Sequence, residues 1–154
     1  MASVYTDLAA LQLAAQTNGA NRPSLPSYGG KVFMANVSKT AYTAATADPL
    51  YLIRLPKGAR VIPQLCVVDH GDAGDACTGT VGYIYDDGTG DADGYSTGLA
   101  LGGSAGFESF ASTAGAASLT PVVLAEDAWV YVTWGTVTNG ASHTQTWHIA
   151  YDLG

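Results

Sequence analysis

Charge is scarce in this chain. Only 12% of its 154 residues are Asp, Glu, Lys or Arg, while 47% are hydrophobic. Intrinsic disorder needs the opposite balance, so a packed core is expected. No run of 18 apolar residues occurs, and no segment is predicted to cross a membrane as a helix. Basic residues number six and the net charge is −7, which removes the electrostatic case for binding nucleic acid. The two cysteines, Cys66 and Cys77, are too few for a disulfide framework. Residues Met1 to Gln16 have no basic leader and carry Asp7, so no signal peptide is predicted and synthesis in the cytoplasm is expected.

Chemistry-bearing motifs are scarce too. No phosphate-binding glycine loop is present, and no nucleophile-elbow serine is predicted. Glu108 and Glu126 are the only glutamates, a weak basis for a glycosidase pair. The aspartates at 69, 72, 75, 86, 87, 91 and 93 suggest oxygen ligands for Ca²⁺, yet an EF-hand register places Thr89 first and Ala100 twelfth, where Glu is needed. Asp and Gly are ordinary turn formers, and that reading is preferred. His70, His143 and His148 show no ligand spacing. No catalytic residue, cofactor or metal is expected, and no enzyme.

What the chain does have is Gly (19 residues), aromatics, and period-two patterning. Thr6–Gln16 is the one good helical stretch, with Thr6 as cap, Asp7 at the positive end of the dipole and Gly19 as stop. Leu8, Leu11 and Ala15 share one face. Asn18–Ser27, with Pro23 and Pro26, reads as extended linker. Residues 1–27 are therefore predicted to be an arm, and 28–154 the domain. Strands are predicted over 31–37, 50–55, 60–69, 80–85, 119–124, 128–136 and 144–153, with Asp86–Gly94 as loop and 95–118 weakly patterned. In the last strand Gln145, Trp147, Ile149, Tyr151 and Leu153 alternate with Thr144, Thr146, His148, Ala150 and Asp152, which fixes its register. In the 60–69 strand Val61, Leu65 and Val67 should share one face, Ile62, Cys66 and Val68 the other. Were 60–69 and 78–85 a symmetric hairpin, Cys66 and Cys77 would face each other and permit a disulfide. Trp129, Trp134 and Trp147 are expected in the core, and exposure of one beside polar loop residues would favour a sugar-binding module. Seven or eight turn-punctuated strands indicate an all-β, antiparallel sandwich or small barrel.

The segment beginning at Leu50, LYLIRLPKGARVIPQLCVVDHGDAGDACTGTVGY, resembles small virion proteins of tailed phages. YGGKVFMANVS upstream and GDADGYSTGLALGGSAG downstream are similar to that family's layout. The resemblance spans roughly 28–154. It implies a jelly-roll-like β-sandwich that decorates or cements a capsid, located on the virion surface and made in the host cytoplasm. It also implies a homotrimer that binds the major capsid protein and bridges neighbouring capsomers. All six basic residues lie within the first 60 positions, and eleven of the thirteen acids lie beyond them. A basic end turned toward a partner would use Leu8, Leu11, Arg22, Lys31, Lys57 and Arg60. A carbohydrate-binding virion module for host attachment is the alternative.

Overall fold

The computed structural model describes residues 31–42, 49–71, 77–102, 104–113, 121–135 and 143–153. These hold strands β1 (Phe33–Tyr42), β2 (Leu50–Leu55), β3 (Arg60–Val61), β4 (Val67–His70), β5 (Thr78–Tyr85), β6 (Gly90–Ala100), β7 (Gly106–Ser109), β8 (Ala128–Trp134) and β9 (His143–Asp152). One sheet has the order β1-β9-β4-β7, with β3 also paired to β9. The other has the order β2-β8-β5-β6. Every pairing is antiparallel. With β3 and β4 counted as one interrupted strand, this is the eight-strand, two-sheet order of a jelly roll.

Alternating side chains make the core. On β9, Gln145, Trp147 and Ile149 are buried, and Trp147 is completely enclosed. The Trp147 indole Nε1–H donates to Gln145 Oε1 at 3.2 Å, which satisfies both polar groups inside the sandwich. From the facing sheet come Leu52, Leu55, Val81, Val130 and Val132. Each such side chain contributes roughly 1.5–3 kcal/mol by leaving water. The short helical turn Phe110–Thr113 closes part of the sandwich, with the Phe110 ring edge-on to Trp147 at 6.1 Å.

Two turns set the chain path. Pro56–Ala59 reverses it from β2 to β3, with Ala59 N donating to Pro56 O at 3.1 Å and Gly58 at φ +85°. A positive φ at that third position is what a type II turn requires. Between β5 and β6, Gly88 N donates to Tyr85 O at 3.0 Å and Tyr85 N to Thr89 O at 2.8 Å, with Gly88 at φ +84°. That is a three-residue hairpin loop with its left-handed glycine. Asp87 Oδ1 accepts from both the amide and the hydroxyl of Thr89. Asp87 is thus a turn former.

Several expectations are corrected. The 60–69 strand is broken, because Pro63 starts a 3₁₀ turn, Pro63–Leu65. The turn shifts the alternation, so Val61, Cys66 and Val68 are all buried and Leu65 is exposed. Cys66 and Cys77 are free and lead into strands of different sheets, so no hairpin brings them together. The Cys66 thiol donates to Ile62 O and accepts from Ala150 N, both at 3.3 Å, and burial pushes its pKa up to about 12. The strand expected at 119–124 reduces, among the described residues, to a single bridge between Arg60 and Val123. The loop expected at 86–94 is mostly strand, and β6 runs on through the weakly patterned 95–100. β1 begins at Phe33, two residues after the expected start. The helix expected at 6–16, and the arm that carries it, lie outside the described residues.

Candidate docking surface

The two sheets turn different faces outward. On the β2-β8-β5-β6 sheet, Ala128, Val130, Val132 and Trp134 of β8 point into the core, which sends Trp129, Tyr131 and Thr133 to the outer side. Tyr51 of β2 is 46% exposed and stands beside both aromatics, with its ring 5.7 Å from Trp129 and 6.0 Å from Tyr131. Ile84 of β5 is paired with Trp129 from the other side. The hairpin loop then walls one end. The result is an open groove of about 410 Å³ lined by Tyr51, Ile84, Tyr85, Asp86, Gly88 and Trp129.

One carboxylate, Asp86, lines this groove. Arg54 pairs with Asp86 and lies 3.8 Å from Asp127. Asp87, next along the hairpin loop, has its pKa lowered by the Thr89 hydroxyl and amide, so it stays charged. On the far side, β6 bulges. Its register slips twice against β5, and the stretch holding Asp91 and Ala92 lies against Gly82, which carries no side chain to block it. Asp91 has its pKa raised, first by the side-chain hydrogen bond with Asp93 and then by burial. The Tyr131 hydroxyl has its pKa raised by burial, then by Tyr51, Asp91 and Asp93.

The β1-β9-β4-β7 sheet presents polar groups instead. His148 Nδ1 and Asn36 Oδ1 are 2.7 Å apart, and the Ser38 and Thr146 hydroxyls 3.0 Å. Among the described residues Phe107, on the short edge strand β7, and Met34, on β1 at the parity of Asn36 and Ser38, are large apolar side chains exposed beside them, at 73% and 48%.

The predicted site residues are distributed as follows. Leu8, Leu11 and Arg22 lie outside the described residues. Lys31 is exposed just ahead of β1, and Lys57 is exposed at the type II turn, where its backbone N–H donates to Asp127. Arg60 is engaged within the chain. Its Nε and Nη2 donate to the buried Asp152 carboxylate at 3.1 and 2.6 Å. Register puts Lys31, Lys57 and Arg60 at one end of the sandwich, because Phe33 pairs with Tyr151 and Arg60 with Asp152. Of the predicted core tryptophans, Trp134 and Trp147 are buried, whereas Trp129 is half-buried in the groove. The parity of β8 carried that signal, since Val130, Val132 and Trp134 claim the opposite face.

Glu108 lies on β7 and Glu126 in the loop before β8, a strand of the other sheet. His70 is buried, with Nδ1 3.2 Å from Gly71 O. Among the described residues no three His, Cys, Asp or Glu side chains converge as metal ligands. The chain contains two Gly-x-Ser-x-Gly spacings, Gly94 to Gly98 and Gly102 to Gly106. The first lies within β6, with Ser96 buried, and the second joins β6 to β7, so neither is the strand-to-helix elbow that activates a hydrolase serine.

No family model matches this sequence, and no match is found among the curated proteins. Among solved structures, a chain in the capsid asymmetric unit of cyanophage Pam1 is similar, with a TM-score of 0.55 and 17% identity over 89% of this chain and 96% of that one. A chain in the capsid of Ralstonia phage GP4 is similar with a TM-score of 0.56 and 17% identity, over 88% of this chain and 93% of that one. At this identity the likeness is one of fold.

Proposed function

We propose that this protein is a structural component of a phage head, a decoration or cement protein that sits on the outside of the major capsid shell and bridges neighbouring capsomers. The observation that carries this reading is the fold likeness to chains from two phage capsids, which takes in nearly the whole of each chain rather than a shared fragment. Fold alone does not assign function. The surface adds support, because the side chains gathered on it are suited to contact and not to turnover. Stabilisation would follow from mass action, since a protein that binds only the closed shell makes opening costlier. In this reading the protein is a homotrimer at symmetric capsid sites, has no enzymatic activity, and is made in the host cytoplasm before joining the virion.

The test is electron microscopy of the native virion with and without this protein, together with thermal release of packaged DNA. Density for the sandwich on the outer shell, and heads that open at lower temperature without it, are the expected results. Heads of equal stability with no such density would remove the proposal.

A second reading, a carbohydrate-binding virion module, is favoured by one feature. Trp129 is half-buried beside Asp86 and Gly88, and an exposed indole next to polar loop groups suits a sugar ring. Glycan-array binding that is lost in Trp129→Ala without unfolding would favour it over the first.

A further inference from the structure

An edge strand bares a row of backbone N–H and C=O groups that can pair with a strand from another chain. The edges of this sandwich are β1 and β7 on one sheet, β2 and β6 on the other. Three of them carry a defence. β7 is only four residues long. β2 slips register between Tyr51 and Ile53, and such a bulge interrupts further pairing. β6 slips twice and has the Phe110–Thr113 turn packed on it. β1 is ten residues long, has no proline, and keeps unbroken register with β9 from Phe33 to Lys39. Its own guards come late, in Lys39 and the slip that follows. Phe33 to Ser38 is therefore a bare edge of ordinary strand length.

The core is unfinished on this side. β9 buries Trp147 and Ile149 completely, yet their β1 partners Val37 and Ala35 are only half-buried. So is Phe33, which stacks on Tyr151 at 5.5 Å. Among the described residues no strand lies beyond β1. An added strand would cover these three side chains and pair the free backbone groups in one step. Charge narrows the occupant. Lys31 and Lys39 are exposed at the two ends of the bare stretch, neither has an ion pair with a described residue, and β1 holds no acid. A second copy fits poorly. Two β1 strands paired about Ala35 keep their inner faces together and set Phe33 opposite Val37, but they also set Lys31 opposite Lys39 at both ends. Like charges directly opposite destabilise a pair. Pairing about Asn36 instead sets Lys39 opposite Phe33. A strand with apolar residues on one face and carboxylates near its ends meets both conditions.

We propose that the Phe33 to Ser38 edge of β1 takes an extended strand from another protein chain, apolar on the side toward the sandwich interior and acidic at its ends. This deepens the capsid reading and rests on it for the source of that strand, a chain of the capsid shell. Backbone pairing at this edge would fix how the sandwich is oriented on the shell. It would leave the Tyr51–Trp129 groove, on the other sheet, open.

The experiment measures backbone hydrogen exchange on the full chain in three states: dilute, concentrated, and bound to heads assembled without it. Alternate amides of an antiparallel edge strand point away from their sheet, so in the dilute chain every second amide from Phe33 to Ser38 should exchange fast. On heads those amides should lose their fast exchange, while the free-edge amides of β2 and β7 keep theirs. The double variant Lys31→Glu/Lys39→Glu, with both positions exposed, should bind heads about tenfold more weakly without unfolding the free chain. Binding to heads with the β1 amides still fast overturns the inference and leaves the capsid reading standing, whereas absence of binding removes both. Slow amides in the dilute chain would mean that the chain covers its own edge. Slowing on concentration alone would make a second copy the occupant, and undiminished binding of the double variant would remove the acidic strand. Each of these three results also overturns it.

Discussion

The two sheets share one interior and differ outside. Both send Val and Trp inward, but the outer face of β1-β9-β4-β7 carries short polar groups that bond to one another, such as Asn36 to His148 and Ser38 to Thr146, with Met34 and Phe107 exposed beside them. The outer face of β2-β8-β5-β6 keeps Tyr51 and Trp129 half open to solvent and frames them with aspartates. A polar face whose groups satisfy each other gains little from a partner. An aromatic face still has apolar area to bury, so it is the side with binding energy in reserve.

The sharpest way to test this contrast is to remove one tryptophan from the shared core and one from the open face. Trp147→Ala opens a cavity in the closed core and should lower unfolding free energy by about 3–5 kcal/mol in denaturant titrations. Trp129→Ala, on the open face, should cost markedly less. Equal losses would mean that the groove is part of the core.

Next in size is a pair of glycines, one on each sheet. A methyl at Gly82 would fall 2.1 Å from Asp91 O and 2.4 Å from the Ala92 carbonyl carbon, so the β6 bulge must move. Gly82→Ala should cost about 1–3 kcal/mol and disturb the groove rim. At Gly106 the nearest atom, His70 Nε2, is 3.7 Å away, an ordinary contact, and Gly106→Ala should be close to neutral by the same measurement.

The Cys66 thiol gives a pH test of core closure. Its ordinary value is near 9, and burial raises it to about 12 in the fold. Between those values the unfolded chain loses a proton that the folded chain keeps, so folding stability contributed by this group is complete below about pH 9 and falls as pH rises toward 12. Cys66→Ala should lose that part of the alkaline slope, and native Cys66 should resist a thiol reagent at pH 8 that labels it at once after unfolding. The smallest effects belong to the polar face. Asn36→Ala and His148→Ala should each change stability by no more than about 0.5 kcal/mol, and a larger loss would show that this face is more than a solvated cover.

Particular elements show how far the sequence could be read. β9 was legible almost to the residue, because Trp147 and Ile149 can be buried only in one register. β2 and the Pro56–Ala59 turn were equally plain, since Pro and Gly act through their own backbone geometry. Pro63 lacks an amide hydrogen and so marks a break in its strand, but the resulting change of phase is not local, because a 3₁₀ turn can shift alternation either way. β6 was obscured by its bulge, which hides the period of two behind the turn-like composition of Asp91 to Gly94. The groove depends on the parity of β8 and its register with β2 and β5, which the residue type of Trp129 does not carry.

By itself, then, the sequence determined the class of fold, the inward face of its clearest strands and the chemistry of its turns, all of which are local properties of backbone and alternation. The order β1-β9-β4-β7 against β2-β8-β5-β6 was decided only in three dimensions, and so was the meeting of Tyr51, Ile84 and Trp129 on one open face. These residues are far apart along the chain, and cross-strand register alone makes them neighbours. That register is set by closing the whole core at once, a condition no single segment carries.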